Sequence, residues 1–421
     1  MQATPTFNVH RQEIAGLSIS DLVEQFGSPC YFYDASVIES RIRDLAAFDT
    51  VRYAQKALSN IAVLDRARKA GAVVDAVSAG EIERALRSGF TGNSKPAGIV
   101  YTADVFDQEA LKLVVQHNIP VNVGSPDMIN QLGEVAPGSE IAMRINPGFG
   151  HGHSQKTNTG GPQSKHGIWH EHIDDCLRRA DRYGISVTGL HMHIGSGTDF
   201  EHLSQVCGAM EKACQEVGRT IRSISAGGGL PVPYSEEQSY MDLDQYFQLW
   251  DAMRNRVQER FGHEIDLEIE PGRYLVAECG YLVAEIQAVK EMGENTFYLL
   301  DAGFNDLARP ILYGAYHPIS IARRDGQQSN CHDVVVGGPL CESGDIFTQA
   351  EGGFVDKRSL PRAGVGDRVI LEVAGAYAYA MASNYNSRYR CPEVLIEGGE
   401  AKLIRKREAA DDLLRLENIP S

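Results

Sequence analysis

Residues 51–77 read VRYAQKALSNIAVLDRARKAGAVVDAV and contain one complete strand–helix–strand unit. Short apolar runs at Val51–Gln55 and Val73–Val77 predict two buried strands, and the apolar spacing over Ile61–Lys69 predicts a helix between them. Two neighbouring parallel strands need a crossover of this kind. We therefore take this unit as the repeat that decides the fold.

The same alternation of strands and helices continues as far as Arg273. Six further strands are predicted at Gly98–Thr102, Pro120–Gly124, Glu140–Asn146, Val187–Ile194, Ile221–Ala226 and Asp266–Glu270. Helical patterns occur at Gly80–Ser88, Asp107–Gln116, Pro126–Gln131, Glu171–Tyr183, His202–Val217 and Asp242–Arg260. Eight such strands predict a closed, TIM-like (β/α)8 barrel, with an open doubly wound sheet as the alternative.

The pattern changes after Arg273, where strands dominate. They are predicted at Tyr281–Lys290, Thr296–Asp301, Asp333–Gly337, Arg368–Ala374 and Glu393–Glu397, followed by a helical pattern at Lys406–Leu416. Cys30–Tyr33 also reads as a strand, and we expect it to join the C-terminal sheet. The sequence thus predicts a barrel domain over residues 35–275 and a second, mostly β-sheet domain from residues 1–34 and 276–421.

Composition limits the partners and the cellular compartment. The net charge of −16 argues against nucleic acid or an anionic membrane as a partner. No run of about 18 apolar residues occurs, and Met1–Arg11 is polar, so we expect neither a membrane span nor a signal peptide. The eight cysteines lack paired or metal-type spacing, which favours a reducing, cytoplasmic setting with most of them buried.

Chemically useful side chains follow several predicted strands, at the end where barrels build active sites. Lys56 follows the first strand, and partial burial there would make it a Schiff-base nucleophile; a surface lysine is the alternative. His191 and His193 share one face of the sixth strand. They would suit a zinc site, contact with an aromatic cofactor ring, or an ordinary core.

Phosphate-binding and acidic features follow the last two barrel strands. Gly227, Gly228 and Gly229 let backbone N–H groups approach a phosphate, with Ser196 as a further donor. Glu270 suits a protonated pyridine nitrogen, and Arg273 suits a phosphate or carboxylate; an internal ion pair is the alternative. Together with Lys56 these are the parts that pyridoxal phosphate requires.

The second domain adds three clusters. Cys341 stands beside acidic residues in a predicted turn, an unusual place for a core cysteine, and its thiol could protonate a carbanion. Tyr377 follows a strand and offers a phenol to a phosphate or carboxylate. Arg309 and Tyr313, four residues apart at a predicted helix start, would share one face suited to a carboxylate.

Read together, these motifs resemble the fold-type III pyridoxal-phosphate-dependent decarboxylases, the alanine-racemase-like barrel group. The stretches that carry the resemblance include YAQKALSN (53–60), HMHIGSG (191–197), SAGGGLPVPY (225–234), EPGRYLVAECG (270–280), DAGFNDLARPILYGAYH (301–317), GPLCESGDIF (338–347) and GAYAYAMASNYNSR (375–388). The resemblance runs from about Gly27 to the C-terminal segment. Within the group it points to the enzymes that decarboxylate meso-diaminopimelate at its D-configured centre to give L-lysine.

The resemblance implies a role for each matching residue. Lys56 carries the cofactor, Cys341 protonates the reacting carbon, and Glu270 pairs with the pyridine nitrogen. The other implied cofactor contacts are Asp75, His193, Ser196, Gly227, Gly228, Gly229, Gly272, Arg273 and Tyr377, with Glu81 as an acidic support near Lys56. The implied substrate contacts are Arg273, Arg309, Tyr313, Glu342 and Tyr377. It also implies a homodimer in which Cys341 and Glu342 of one subunit complete the active site that contains Lys56 of the other subunit.

Three other functions stay open at this stage. A related decarboxylase would act on ornithine, arginine or carboxynorspermidine, but such substrates give Arg309 no distal carboxylate to bind. A racemase would not need the cysteine motif. A non-catalytic pyridoxal-phosphate-binding regulator would have no use for both Lys56 and Cys341. The long segment Pro147–Gly167, rich in Gly, Ser, Asn and Thr, interrupts the barrel pattern and is expected to be functional or mobile.

Overall fold

A computed structural model describes residues 5–150, 158–195 and 200–420. The strands are β1 Glu13–Ile14, β2 Leu17–Ser18, β3 Cys30–Asp34, β4 Thr50–Ala54, β5 Val73–Ala76, β6 Ile99–Ala103, β7 Val121–Val123, β8 Glu140–Asn146, β9 Ile168–Trp169, β10 Ser186–His191, β11 Ser223–Ser225, β12 Asp266–Ile269, β13 Gly280–Met292, β14 Asn295–Leu300, β15 Ile319–Ala322, β16 Cys331–Gly337, β17 Arg358–Pro361, β18 Arg368–Leu371, β19 Glu393–Glu397 and β20 Glu400–Arg405. The α-helices are α1 Ile19–Phe26, α2 Ala35–Arg43, α3 Ile61–Lys69, α4 Ala79–Arg87, α5 Gln108–Gln116, α6 Pro126–Val135, α7 Ile173–Arg182, α8 Phe200–Val217, α9 Leu243–Phe261, α10 Arg273–Val276, α11 Arg309–Tyr313 and α12 Ala410–Leu414.

Eight parallel strands form the predicted barrel. In spatial order they are β4, β5, β6, β7, β8, β10, β11 and β12. The ring closes where β12 pairs with β4, with Ile269 opposite Val51. The closure confirms the barrel and excludes the open sheet. All eight strands begin and end within a few residues of their predicted bounds, because each is a short buried apolar run flanked by turn residues.

The barrel helices begin at polar capping residues. Asn60 and Asp107 accept hydrogen bonds from the first-turn amides of α3 and α5. Ser78 does the same for α4, accepting from Glu81 N. Gly262, in the left-handed conformation at φ 77°, ends α9. These ends satisfy backbone groups that a helix leaves free, and they set the direction in which the chain returns to the next strand.

The second sheet runs β17, β16, β14, β13, β3, β19 and β20, with β18 attached to β13 and β15 attached to β18. β3 pairs antiparallel with β13 and parallel with β19, which confirms that the strand before the barrel joins the C-terminal sheet. The prediction of a helix over Lys406–Leu416 was too long, since α12 covers only Ala410–Leu414. β20 was missed because its sequence is polar and its pairing with β19 is a tertiary contact.

A buried carboxylate links the two parts of the chain. Glu393 on β19 is 0% exposed and accepts from Tyr33 Oη at 2.8 Å and from Asn60 Nδ2 at 2.9 Å. Asn60 caps the first barrel helix, so the second sheet is fixed against the segment that follows Lys56. A buried charge is tolerated when donors surround it in this way.

Six of the eight cysteines are buried, as expected, but Cys331 joins Cys341 as an exposed exception. Within the described ranges, the helices are all too short or too polar to cross a membrane.

Candidate active site

A cleft at the carboxyl ends of the barrel strands contains most of the predicted cofactor residues. Those that line it are Lys56, Asp75, His193, Gly228, Gly229, Glu270, Gly272, Arg273 and Tyr377. They come from β4, β5, β10, β11, β12 and the second sheet. Residues far apart in sequence meet here because parallel strands end at one rim of the barrel.

Lys56 lies on a 3-10 turn, Gln55–Ala57, directly after β4. Its side chain is exposed in the single chain, so the prediction that the strand end buries it was wrong. The turn lifts the side chain off the barrel wall into the open cleft. Tyr377 N donates to Ala57 O at 2.8 Å, and this bond brings the second sheet beside the lysine. Tyr377 has φ 57°, a conformation that side chains seldom adopt and that surrounding contacts must hold.

Two acids lie beneath Lys56. Burial raises the pKa of Asp75, with the negative charge of Glu270 adding to the effect. Burial also raises the pKa of Glu81 to about 7, despite a 2.9 Å hydrogen bond from Val77 N. The positive charge of Lys56 lowers the pKa of both acids, against the effect of burial. The two carboxyl groups therefore form a protonatable support below an exposed amine.

Glu270 is 8% exposed and has a partner at each carboxylate oxygen. Ser225 Oγ donates to Oε1 at 2.9 Å, and His191 Nε2 lies 2.9 Å from Oε2. Burial alone would raise the pKa of Glu270, but His191, Arg52 and Ser225 oppose it and hold the pKa below its usual range. The sequence suggested no local partner for this acid, and the partners come from other strands.

His193 and Arg144 face the same cleft. Burial and the nearby Arg144 and Lys56 cations lower the pKa of His193 well below its usual range, so the ring is neutral. Its Nδ1 is buried without a hydrogen-bond partner in the described chain. A neutral imidazole is suited to lie flat against an aromatic ring. Among the described residues, no group of three His, Cys, Asp or Glu is placed to bind a metal, and His191 bonds to Glu270 instead.

The three glycines after β11 form a backbone cradle. Gly227 and Gly229 have φ of 64° and 99°, which favour glycine. A side chain at Gly228 would place Cβ 2.5 Å from Glu270 O, and one at Gly229 would place it 2.5 Å from Gly195 O. A side chain at Gly227 would place Cβ 2.2 Å from Met192 O. Only glycine fits here. The amide of Gly227 donates to Ser225 Oγ at 3.1 Å, so the amides of Gly228 and Gly229 are the ones left to bind an anion.

Two arginines share an unpredicted aromatic support, Tyr234. Arg273 Nη1 donates to Tyr234 Oη at 2.9 Å, and the Arg309 guanidinium lies 4.7 Å from the centre of the ring. Arg309 is 6% exposed and also lies 2.9 Å from His317 Nε2. Burial, together with Arg309, lowers the pKa of His317 well below its usual range, so its Nε2 accepts from the arginine.

Cys341, Glu342 and Tyr313 lie outside the cleft of the same chain. All three are exposed, Tyr313 at 38%, although Arg309 on the same short helix is buried. Cys341 N donates to Asn386 Oδ1 at 2.7 Å, which fixes the turn that carries the thiol. Cys341 and Glu342 are therefore absent from the cleft lining of the same chain, whereas Tyr313 is near enough to Arg273 to raise the pKa of that arginine.

Parts of the Pro147–Gly167 segment contact the cleft. Thr159 Oγ1 donates to His193 O at 3.0 Å, and Asn146 Oδ1 accepts from Gly161 N at 2.9 Å. Asp104 lies 2.7 Å from His166 Nδ1 at the far end. Residues 151–157 and Ser196, a predicted phosphate contact, lie outside the described residues.

Sequence reasoning missed four residues of this site: Thr102, Arg144, His191 as a partner of Glu270, and Tyr234. The first three are polar residues at the ends of strands, at inward-facing positions of a period-two pattern. That pattern could have identified them. Tyr234 lies on a loop after the glycines, where periodicity carries no information.

Comparison with known proteins identifies the family. Residues 35–277 match the family model described as "Pyridoxal-dependent decarboxylase, pyridoxal binding domain". This chain belongs to the pyridoxal-dependent decarboxylase family. The diaminopimelate decarboxylase of Streptomyces coelicolor is 51% identical over 407 residues, covering 96% of this chain and 92% of the relative. That of Escherichia coli is 51% identical, covering 94% and 95%. A crystal structure of diaminopimelate decarboxylase superimposes with a TM-score of 0.91 at 51% identity, covering 94% of each chain.

The cleft fits pyridoxal phosphate on its own geometry. Its lining combines an exposed amine, a glycine cradle that excludes Cβ atoms and an ionised carboxylate. Arg273 has a buried Nε with no partner among the residues described. These features match the aldehyde, phosphate and ring nitrogen of the cofactor in chemical type.

Proposed function

We propose that this protein converts meso-2,6-diaminopimelate to L-lysine and CO2, the last step of lysine biosynthesis, by removing the carboxylate of the D-configured centre. One observation carries the proposal: a chain with 51% identity to diaminopimelate decarboxylases over nearly its whole length also brings Lys56, Glu270 and Arg273 into a single cleft. The enzyme is a decarboxylase of the pyridoxal-dependent family, and its cofactor is pyridoxal phosphate.

We assign the cofactor contacts from the cleft outward. Lys56 holds the cofactor through its amine, and the amides of the glycine cradle, Arg273 and Tyr377 hold the phosphate. His193 lies against the ring, and Glu270 meets the pyridine nitrogen. When bound, pyridoxal phosphate accepts the electron pair that decarboxylation leaves on Cα. The ionised Glu270 keeps the ring nitrogen protonated, which strengthens that withdrawal.

In the reaction the bond from Cα to the carboxylate breaks, the carboxylate leaves as CO2, and a proton is added to Cα in its place. Cys341 supplies that proton from its thiol and regains one from solvent. The proton count balances, because each turnover consumes one proton and one substrate and releases lysine and CO2.

The distal end of the substrate carries both an ammonium and a carboxylate. Arg309 and Tyr313, with Arg273 nearby, provide cationic and phenolic donors for the carboxylate, and Glu342 provides an acceptor for the ammonium. A planar guanidinium matches a carboxylate in two hydrogen bonds. Ornithine and arginine lack the distal carboxylate and leave Arg309 without a partner.

The exposure of Cys341 and Glu342 supports a homodimer with a shared site. Two apolar side chains beside their turn are also exposed, Ile311 at 38% and Tyr385 at 42%. A Cβ at Gly344 would lie 2.9 Å from Ile311, so this patch and the cysteine turn are adjacent. Exposed apolar patches beside functional residues are typical of subunit contacts. We therefore place Cys341 and Glu342 over Lys56 of the partner subunit.

A cytoplasmic location and the absence of a nucleic-acid or membrane partner complete the proposal. The acidic net charge and the free cysteines support both.

The proposal is tested by measuring CO2 release from purified protein supplied with pyridoxal phosphate. We expect release from meso-diaminopimelate with lysine as the product, and none from L-ornithine, L-arginine, L-lysine or LL-diaminopimelate. Release from ornithine or arginine alone would assign a different substrate and remove the roles of Arg309 and Glu342. No release from any of them would favour the regulator.

A further inference from the structure

The pair formed by His191 and Glu270 has a feature that cofactor binding alone does not explain. His191 is 3% exposed, and its Nε2 lies 2.9 Å from Glu270 Oε2. Its other ring nitrogen, Nδ1, is buried and has no partner among the described residues. A buried polar atom of this kind costs free energy unless water or a ligand serves it.

A chamber of about 740 Å³ fills the half of the barrel opposite the cofactor cleft. It is lined by residues of the barrel strands and by residues of α5, α6 and nearby loops, and it reaches up to His191, Ser225 and Glu270. His191 and Glu270 also line the cofactor cleft, so the pair separates the two spaces. The chamber opens towards solvent at the amino ends of the strands.

The wall of this chamber is mostly apolar but contains several polar side chains. Arg52 Nη2 donates to Glu268 Oε2 at 3.0 Å, and Asn122, 2% exposed, has an Oδ1 without a partner in the described chain. Because the chamber opens to solvent, water can enter it and come up to His191, but Nδ1 itself stays buried.

We propose that His191 is a positioning residue for the cofactor: its Nε2–H donates to Glu270 Oε2 and holds the carboxylate in place. Ser225 Oγ occupies the other carboxylate oxygen, so each oxygen has one fixed donor and the group stays ionised and correctly turned. This role rests on the placement of the pyridine nitrogen at Glu270 made in the proposed function.

Other charged groups also face His191 and Glu270. The experiment must therefore distinguish the effect of His191 on the Glu270 carboxylate from the effects of those groups. Arg52 on β4 lowers the pKa of Glu270, and the charge of Glu270 raises the pKa of Asp75 on β5. Arg144 on β8 and Lys56 stand on the cleft side. Single substitutions at His191 leave all of these in place.

Two matched variants distinguish the effect of the hydrogen-bond donor at Nε2 from the effect of side-chain size. In His191→Gln the amide nitrogen falls near the position of Nε2 and can still donate to Glu270. In His191→Asn the amide falls near Nδ1 and cannot reach it. The readout is the 15N NMR shift of the holoenzyme's cofactor, labelled at the ring nitrogen, across a pH titration.

We expect the ring nitrogen to lose its proton at a pH at least about one unit lower in His191→Asn than in the wild type, which is a tenfold change in the equilibrium. In His191→Gln it should titrate close to the wild type, and kcat should follow the same order. The inference is overturned if the two variants titrate alike. If the wild type releases no CO2 from diaminopimelate yet shows the expected titrations, the substrate assignment fails and the role of His191 stands.

Chemical rescue gives a second test in case His191→Asn does not fold. His191→Ala joins the chamber to the cleft, and imidazole added to the holoenzyme can enter from the open mouth. We expect imidazole to restore kcat and the pH at which the ring nitrogen titrates. 1-Methylimidazole has no N–H to donate, so equal rescue by both compounds, or rescue by neither, would overturn the inference.

Discussion

Arg273 Nη1 donates a 2.9 Å hydrogen bond to the hydroxyl of Tyr234. Tyr234 is 7% exposed, and the Arg309 guanidinium lies over its ring. Burial raises the pKa of Tyr234, but the two cations outweigh it and leave the pKa below its ordinary value. One phenol thus contacts two like charges and helps to keep them close together.

We predict that Tyr234→Phe weakens binding of the cofactor about fivefold to tenfold, because it removes one hydrogen bond to a charged group while keeping the ring. Fluorescence titration of the apoenzyme with pyridoxal phosphate measures the affinity. Tyr240→Phe is the control, since Tyr240 bonds to Glu278 and Arg41 away from the cleft. Equal affinity in Tyr234→Phe and wild type would show that Arg273 needs no support from the phenol.

We predict that Lys56→Ala has no measurable turnover and lacks the visible absorbance of the bound cofactor. The exposed amine of Lys56 is the group placed to hold the cofactor aldehyde. Lys69→Ala, an exposed position at the end of α3, should keep both activity and absorbance. Turnover by Lys56→Ala at the wild-type rate would remove the lysine from its assigned place.

We predict that Lys56→Ala and Cys341→Ala restore activity when mixed, although each is inactive alone. If each site takes its lysine from one subunit and its cysteine from the other, the mixed dimer contains one intact site. Random reassociation then gives about a quarter of the wild-type activity. The test is activity after mixing under conditions that exchange subunits. Mixing Lys56→Ala with Lys56→Arg is the control and should stay inactive. If mass spectrometry shows that subunits exchange but the first mixture recovers no activity, both residues belong to a site formed by one chain.

Strand positions and closure were predictable because each barrel strand is a short apolar run, as in Glu140–Asn146, whose bounds match the structure. The contacts that define the site were less predictable from the sequence. His191, Ser225 and Glu270 lie on or just after β10, β11 and β12, and only the pairing of these three strands brings them together. The exposure of Lys56 depends on a 3-10 turn that no periodicity signals. The division into domains at residue 275 and the role of each site residue stay predictions.

We predict that Glu342→Gln raises KM for meso-diaminopimelate about tenfold or more, because a charge-assisted hydrogen bond to the distal ammonium becomes a neutral one. Its effect on cofactor affinity should be within about twofold. Steady-state kinetics and cofactor titration measure the two quantities. Glu400→Gln, an exposed acid on β20, is the control. A loss of cofactor affinity as large as the change in KM would argue that Glu342 supports the fold of the turn and not the substrate.

We predict that Glu81 makes the protein less stable as the pH rises. Burial raises the pKa of Glu81 from its ordinary value of 4.5 to about 7. Between these values the folded state keeps a proton that the unfolded state releases. The contribution is therefore fully present below about pH 4.5 and is lost as the pH rises through about 7.

Glu81→Gln cannot ionise and keeps an oxygen to accept from Val77 N. The free energy of unfolding of this variant, relative to wild type, should rise by about 2 to 3 kcal/mol between pH 5 and pH 8. Urea unfolding at equal protein concentration measures the difference, in which the other titrating groups cancel. Glu83→Gln, exposed on the same helix, should show no such trend. A difference between Glu81→Gln and wild type that is constant with pH would show that Glu81 is already ionised in the folded protein throughout this range, and that Lys56 above it outweighs burial.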